Sequence, residues 1–381
     1  MPYSDERSRR VTVLRSAASR SAACRRRAMH APHVTVVIAT HRRVDALRCT
    51  LRALVLQGHP DWTALVIGDR CGDETAEAIR AFHEPRIRYY NLPQRFGEQS
   101  GPNSAGLHLA EGDFVSFLNH DDLLLADHLI RALDRLAACN GDVYIGKFAD
   151  ATQLERADTG ALVPVFTRIL PAQEDLRVLV TADPWCFDPS SFWVIRTSYA
   201  KAVGPWRPAR SLWRTPLRDW LMRAWRLGGT FCFGDRVTGL RFWTQNLRRG
   251  APLYASATPE HEYMVDRLRN EGSDTIRSFI RQQVERAQGV ARSGPRPRTP
   301  LPFAAGWVPA CRWRLVSGQR MVLTNLYLHF GLDPVSLMGR LSRRPRGALL
   351  NWISQKRTGE DLPAQPTIQE FLRDPEAHRL L

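Results

Sequence analysis

The sequence FVSFLNHDDLLLADHL, residues Phe114 to Leu129, indicates the fold class most directly. Its apolar run ends abruptly at Asn119-His120-Asp121-Asp122, and an amphipathic pattern follows at once. This is typical of a buried strand that delivers acidic side chains to a sheet edge and is followed by a helix. Carboxylates placed there without Lys or Arg among them favour a divalent cation and, through it, a diphosphate. The same residues fit a second interpretation equally well, in which Asp121 or Asp122 only caps the helix.

The residues before this stretch alternate between short apolar runs and helical patterns. Buried strands are predicted at 34–39, 64–68 and 87–90, and helices over 44–55, from Glu74 with Asp73 as its cap, and over 103–110. This alternation predicts a doubly wound, Rossmann-like α/β fold with a mainly parallel sheet and right-handed crossovers. Ligands of such sheets bind outside the carboxyl ends of the strands. The polar residues expected at that edge are Thr40, His41, Asp69, Asn119, Asp121 and Asp122.

The turn after the first strand narrows the class of ligand. No GxGxxG follows that strand, which disfavours a dinucleotide-binding enzyme, and the chain contains no P-loop of an NTPase. A sugar nucleotidyltransferase would need a Gly-rich phosphate loop with a lysine here, and Thr40-His41-Arg42-Arg43 supplies neither.

The length and composition indicate a globular protein. The 381 residues suit two domains, or one large domain with an appendage. A run of eighteen apolar residues and an apolar N-terminal signal region are both absent, so neither a transmembrane helix nor a secretory signal is expected. Seven scattered cysteines without a CxxC pair predict neither a disulfide framework nor a zinc site. We therefore expect a cytoplasmic protein.

The net charge of +16 belongs to the two ends of the chain. Residues 1–33 carry eight Arg against two acids, and residues 281–357 carry fourteen Lys and Arg against two acids. The nearly neutral middle argues against a nucleic-acid-binding core, although basic ends that bind nucleic acid are an alternative. We predict that 1–33 is a disordered basic tail. An amphipathic anchor, or an artefactual upstream start codon, would look similar.

The second half of the chain is less regular. Strands are predicted at 142–148, 191–195, 230–233 and 237–243, with an irregular segment at 149–190 and a helix from Arg218 to Leu227. Seven of the eleven Trp lie between residues 185 and 243. They favour core packing, while stacking on sugar rings is the alternative.

The region from residue 255 onward has helical patterns. One helix is predicted over 261–288, followed by a Pro/Arg-rich linker at 292–302 and shorter helices. Within 311–357, Leu, Trp and Ile lie beside many Arg and Lys, which suits a helix on an anionic membrane surface. An ordinary helical subdomain with a solvated basic face is the alternative.

Several motifs occur in a fixed order between Val34 and about Trp243. They are the opening strand Val34–Thr40, Ile67-Gly68-Asp69-Arg70-Cys71-Gly72-Asp73-Glu74-Thr75, Asn91-Leu92-Pro93, Gly97, Gly101-Pro102-Asn103-Ser104-Ala105-Gly106, Ala110-Glu111-Gly112-Asp113, Phe117-Leu118-Asn119-His120-Asp121-Asp122, Gly204-Pro205-Trp206 and Arg218-Asp219-Trp220. Each is weak alone, but together they resemble glycosyltransferase family 2, whose fold is GT-A. The resemblance covers a little over half of the chain and leaves out the C-terminal third.

The resemblance implies roles for the matching positions. Thr40 and Asp69 would hold the nucleotide, with Asp69 facing the base. Asp121 in the family's DxD motif, with Asn119, would bind Mn²⁺ or Mg²⁺ on the diphosphate. Asp219 would be the general base that removes the acceptor hydroxyl proton as this oxygen attacks the anomeric carbon.

Two positions depart from the family pattern. Asn119 replaces the first acid of DxD; its neutral oxygen still serves ribose or metal, with weaker metal binding expected. Arg218 takes the place of the Glu before the base, and it favours the ionised Asp219, which lowers the pKa and the basicity of that carboxylate. A helix N-cap is the alternative role of Asp219.

The resemblance also implies the domains and the activity. Residues 34–250 would be the GT-A domain, with a nucleotide-binding half at 34–148 and an acceptor half at 149–250, followed by a helical basic region at 251–381. The expected enzyme is inverting and moves one sugar from a nucleotide-sugar, a UDP-sugar in our expectation, to a glycan or lipid-linked acceptor in cell-surface polysaccharide or glycoconjugate synthesis. No QxxRW-type motif points to a polymerising synthase. We expect no nucleic-acid partner and a peripheral place at the inner face of the membrane. A non-catalytic protein that binds nucleotide-sugar or glycan is the alternative.

Overall fold

The structure is a computed structural model that describes residues 31–157, 160, 162–171, 174, 189–209, 212, 215–243 and 258–293. The predicted tail lies outside the described residues up to residue 30, and the predicted membrane-contacting region 311–357 lies wholly outside them. The predicted boundary at residue 250 falls within 244–257, which is also outside the described part.

The described strands form one mixed sheet in the order β3-β2-β1-β4-β8-β6-β9-β5, with β7 paired to β6. Their bounds are β1 Val34–Thr40, β2 Trp62–Gly68, β3 Ile87–Asn91, β4 Phe114–Asn119, β5 Leu123–Leu124, β6 Val143–Arg156, β7 Leu162–Leu170, β8 Trp193–Arg196 and β9 Phe231–Phe242. Strands β1 to β4 are parallel, and β6 and β9 share their direction because β8 is antiparallel to both β4 and β6. The α/β fold with a mainly parallel sheet is confirmed.

Helices follow most of the strands. They are α1 Val44–Val55, α2 Asp73–Arg80, α3 Ser100–Leu109, α4 His128–Cys139, α5 Thr197–Val203, α6 Pro216–Arg226, α7 Pro259–Asn270 and α8 Ser273–Ser293, with a short 3-10 helix at Ser190–Phe192. Helix α3 lies close on β1, because a Cβ atom added at Gly106 would be 2.2 Å from Cγ1 of Val37. This contact needs glycine.

Several predicted boundaries were wrong. Helix α2 begins at Asp73 itself, so Gly72 and not Asp73 is its N-cap residue. Residues 149–190 were predicted to be irregular, yet β6 continues to Arg156 and pairs with β7. Register shifts at Asp150/Ala151 and Ala151/Gln153 break the two-residue alternation by which a long strand is recognised in a sequence.

Two further elements differ from the prediction. The strands predicted at 230–233 and 237–243 are one strand, β9, whose pairing with β6 shifts register between Ile145 and Lys147. The single helix predicted over 261–288 is two helices, because the chain leaves the helical conformation at Glu271, where α7 ends.

The core contains three clusters of buried residues. In the first, the rings of Trp193, Trp206 and Trp220 pack against each other with centroids 5.8 to 6.4 Å apart, and all three are buried. Core packing is therefore the confirmed interpretation for these three tryptophans. In the third cluster, Met264 and Ile280 from α7 and α8 pack with residues of α1, β6, β7 and β9. Among the described helices, none has the length and apolarity needed to cross a membrane.

Candidate active site

The carboxyl ends of β1, β2 and β4 meet at one edge of the sheet, as the pattern predicted. Thr40 pairs with Gly68 across β1 and β2, and Ala39 pairs with Asn119 across β1 and β4. The carbonyl of Thr40 also accepts the backbone N–H of Asp69 at 2.9 Å. The structure therefore brings Thr40, Asp69 and Asn119 together at this edge.

Asp69 holds the loop that follows β3. Its two carboxylate oxygens accept the backbone N–H groups of Phe96 at 2.6 Å and Gly97 at 2.8 Å. Its side chain is buried, and burial raises its pKa to about 6, while the two N–H donors oppose that shift. The carboxylate thus fixes the loop wall of the site, and the contact of Asp69 with a nucleotide base stays a prediction.

Asp121 is paired with a residue that the sequence analysis did not select. Nη1 of Arg43 donates to Oδ2 of Asp121 at 2.5 Å, and the side chains are 7% and 26% exposed respectively. Burial alone would raise the pKa of Asp121, but the charge and the hydrogen bond of Arg43 outweigh it and lower the pKa. Asp121 is consequently an ionised carboxylate that reaches solvent at the edge of the sheet.

Asp122 has a structural role that is not the predicted one. Its Oδ2 accepts the side-chain N–H of Asn119 at 2.9 Å and the hydroxyl of Ser191 at 2.5 Å, and the residue is buried. The Ser191 oxygen also accepts the backbone N–H of Asn119 at 3.1 Å. Because the next helix, α4, begins only at His128, the interpretation of Asp121 or Asp122 as a helix cap is wrong. Asp122 instead fixes the turn that presents Asn119 and Asp121.

Two histidines flank Asp121. Nε2 of His261, from α7, lies 2.9 Å from the backbone carbonyl oxygen of Asp121, and His261 is fully buried. Burial lowers the pKa of His261, and it lowers that of His120 to about 4. Both imidazoles are therefore neutral near pH 7, and His261 supports the turn through a hydrogen bond.

Asp219 lies in the first turn of α6. Thr215 is the N-cap residue of this helix, so the alternative of Asp219 as an N-cap is wrong. The Asp219 carboxylate accepts Nε of Arg223 at 2.9 Å and lies 3.5 Å from Nη1 of Arg207. It is 4% exposed.

Sequence reasoning missed Arg43, Ser191 and His261. Arg43 directly precedes α1 and follows the end of β1 by three residues. Its positive charge at this position was the sequence signal that could have identified it. Ser191 and His261 lie 69 and 140 residues from their partners Asp122 and Asp121, so no local pattern relates them.

The fit of a divalent metal rests on a small set of ligands. Across the described residues, no group of three or more His, Cys, Asp or Glu is placed to hold a metal ion. Mg²⁺ commonly uses only one or two protein carboxylates and takes its other oxygens from substrate phosphates and water. Asp121, with the side-chain oxygen of Asn119, fits such an ion when it arrives with a diphosphate.

Two relatives of this chain have names from polysaccharide biosynthesis and sugar transfer. Succinoglycan biosynthesis protein ExoO of Rhizobium meliloti is 26% identical over 40% of this chain and 44% of its own length. GalNAc(5)-diNAcBac-PP-undecaprenol beta-1,3-glucosyltransferase of Campylobacter jejuni is 31% identical over 26% of this chain and 32% of its own length. The chain thus spans less than half the length of these curated relatives.

A solved structure and a family model complete the comparison. TarS 1–349 of S. aureus in complex with UDP aligns at 16% identity over 82% of this chain and 93% of that chain, with a TM-score of 0.45. Residues 35–204 match the model described as glycosyl transferase family 2. This segment includes β4, the Asn119–Asp122 turn and all of β1 except Val34. Over residues 35–204, a little under half of its length, the chain is similar to glycosyltransferase family 2.

Proposed function

We propose that this protein transfers a single sugar from a nucleotide-sugar, a UDP-sugar by expectation, to a glycan or lipid-linked acceptor with inversion. The observation that carries the proposal is the meeting of Thr40, Asp69, Asn119 and Asp121 at the carboxyl edge of β1, β2 and β4. This edge is where a parallel α/β sheet binds its ligand. It lies within the segment that matches the family 2 model.

The acceptor class is supported by the names of relatives. One acts on an undecaprenol-diphosphate glycan, another is a poly(ribitol-phosphate) transferase of Staphylococcus aureus, and a third takes part in succinoglycan biosynthesis. Cell-surface polysaccharide or glycoconjugate synthesis is the role consistent with all three.

The proposed roles are those that the family resemblance implies, and the contacts of the side chains support them. Asp69 holds the loop wall beside the nucleotide, and Asp121 with Asn119 holds Mn²⁺ or Mg²⁺ on the donor diphosphate. When bound, the metal offsets the charge that develops on the departing nucleoside diphosphate. Asp219, which is kept in place by Arg223, accepts the proton of the acceptor hydroxyl.

A panel of nucleotide-sugars, screened for protection against thermal unfolding, tests the donor class. At least one nucleotide-sugar should raise the Tm of the wild type, and Asp121→Ala should lose the part of that shift that depends on added Mn²⁺ while the protein stays folded. Asp134→Ala is the matched control, because Asp134 is an exposed carboxylate on α4. If no nucleotide-sugar protects the wild type, the proposal is wrong.

The contacts of Asp219 favour a second candidate, a non-catalytic protein that binds nucleotide-sugar or glycan. Two guanidinium groups, those of Arg207 and Arg223, surround this buried carboxylate, and such pairing stabilises its ionised form. An assay of UDP release separates the candidates. Turnover of the protecting donor, by transfer or hydrolysis, establishes an enzyme, while protection without turnover supports the binding protein.

A further inference from the structure

We propose that Arg43 is a diphosphate-binding residue of the donor site, and that it competes with a divalent metal for the Asp121 carboxylate. This inference rests on the proposed function, since it names the group that meets the donor at that same site. It concerns a residue for which the family resemblance implied no role.

The position of Arg43 is set by the sheet. Arg43 follows β1 by three residues and Asp121 follows β4 by two, and the two strands are parallel neighbours paired through Ala39 and Asn119. The guanidinium is nearly buried, whereas the carboxylate that it contacts at 2.5 Å is about one quarter exposed. The pair therefore lies at the mouth of the site, with the carboxylate on the solvent side.

The guanidinium of Arg43 supplies a positive charge at this point of the site. A guanidinium remains protonated in proteins. A diphosphate that enters beside Asp121 thus meets a fixed cation. Arginine offers several N–H donors in a planar fork, which suits two phosphate oxygens better than one carboxylate oxygen.

The same contact sets Arg43 against a metal ion. A divalent cation that binds Asp121 shares this carboxylate with a nearly buried positive charge, and like charges at such distances repel strongly. Removing the guanidinium takes this competing charge away and makes Asp121 a better metal ligand. The two effects have opposite signs: Arg43 strengthens diphosphate binding without metal and weakens metal binding without diphosphate.

Calorimetric titration of the full chain with UDP, in EDTA, tests the first effect. Wild type should bind UDP without metal, Arg43→Gln should bind it at least tenfold more weakly, and Arg42→Gln should stay within twofold. Arg42 is the matched control because it is the exposed neighbour and its replacement removes the same charge. Asp121→Asn should keep metal-free UDP binding, since it releases Arg43 from its partner.

Titration with Mn²⁺ alone tests the second effect, and Arg43→Gln should bind the ion several-fold more tightly than the wild type. If Arg43→Gln does not fold, Arg43→Lys decides, and it should bind UDP several-fold more weakly in EDTA because it lacks the fork. The inference is overturned if wild type binds UDP only with Mn²⁺, or if the Arg43 variant that folds binds UDP in EDTA as wild type does. Absence of UDP binding with and without Mn²⁺ would instead reject the UDP donor, and this inference with it.

Discussion

Glu98 accepts the backbone N–H of Ala209 at 2.7 Å, on the same carboxylate oxygen that accepts the Ser100 hydroxyl at 2.6 Å. The two residues are 111 positions apart in the sequence. Glu98 lies in the predicted nucleotide-binding half at 34–148 and Ala209 in the predicted acceptor half at 149–250, so this hydrogen bond joins the two predicted halves.

Each end of the bond is close in sequence to a residue that contacts a predicted site residue. On one side, Glu98 directly follows Gly97, whose N–H group Asp69 holds. On the other side, Ala209 lies two residues after Arg207, which contacts Asp219. Three contacts, joined by residues close in sequence, thus lead from Asp69 to the predicted base Asp219, and Glu98 makes the middle one.

The first prediction is that Glu98→Ala lowers the free energy of unfolding by about 1–3 kcal/mol, because the buried N–H of Ala209 loses its acceptor. Urea unfolding of the two proteins measures the difference. Glu111→Ala is the control, since Glu111 is an exposed carboxylate in the same half, and its effect should stay within about 0.5 kcal/mol. Equal stabilities of the Glu98→Ala variant and the wild type would show that the bond adds nothing.

The second prediction concerns the proposed base. Asp219→Asn should lower kcat by about 10² to 10⁴, the range typical of general base catalysis, because an amide cannot accept the acceptor proton. The protein should remain folded, since Arg223 also donates to the carbonyls of Val203 at 2.6 Å and Pro205 at 2.7 Å. Steady-state kinetics and the Tm report the two outcomes, with Asp134→Asn as the exposed control. Transfer at the wild-type rate would remove Asp219 from the mechanism.

Much of the candidate site at the sheet edge was predictable from the sequence, because the ends of parallel strands have a fixed relation to each other. Parallel strands place their carboxyl ends together, so Thr40, Asp69 and Asn119 were expected to meet before any contact was known. The same rule does not predict which side chains at the edge form pairs with each other. The pair Arg43–Asp121 depends on the exact turn after each strand, and it escaped prediction.

The long-range contacts were beyond reach for a different reason. His261 contacts the Asp121 carbonyl because α7 packs beside α1 in the third core cluster. The sequence of a helix shows that its apolar face packs against the core, but it does not show which element the face packs against. The helix cap predicted for Asp122 was wrong because the buried hydroxyl of Ser191 supplies its hydrogen bond, which no local pattern reveals.

The third prediction is a pH dependence of stability caused by His128. This histidine is fully buried with Nδ1 2.9 Å from the Thr238 hydroxyl oxygen, and burial lowers its pKa to about 4 from an ordinary value of 6.5. Between these values the unfolded chain binds the proton and the folded chain does not, so stability falls as the pH falls. From pH 7.5 to pH 5 the loss from this one group is about 2 kcal/mol.

The His128→Asn variant isolates that loss. Asn can still bond Thr238 but does not titrate, so the stability of the variant relative to wild type should rise by about 2 kcal/mol between pH 7.5 and pH 5. His83→Asn is the control, because His83 is exposed and its backbone has a positive φ of 48°, which Asn tolerates. Urea unfolding at both pH values gives the stability of each of the two variants relative to the wild type. A relative stability that does not change with pH would contradict a neutral buried His128.

The fourth prediction concerns a buried ion cluster beside the site. Asp150 on β6 is fully buried, and Arg241 on β9 donates to both of its oxygens at 2.9 and 2.8 Å. Arg168 on β7 donates to Oδ2 alone, at 2.7 Å. Arg241→Met therefore removes both hydrogen bonds from Arg241 and one of the two neighbouring positive charges. Breaking a buried pair in this way costs about 3–5 kcal/mol, although Arg168 keeps the effect toward the lower end.

The control for this change lies on the same strand. Arg236→Met also removes a guanidinium from β9, but Arg236 is about half exposed and its acidic neighbours are 3.6 and 3.8 Å away. Such surface pairs contribute about 0–1 kcal/mol, so the control should unfold close to the wild-type urea midpoint.

The charge of Arg241 also opposes the rise in the pKa of Asp122. Arg241→Met should thus disturb the turn that presents Asp121 and weaken donor protection, which Arg236→Met should preserve. Equal urea midpoints for the two variants would show that Asp150 does not depend on Arg241.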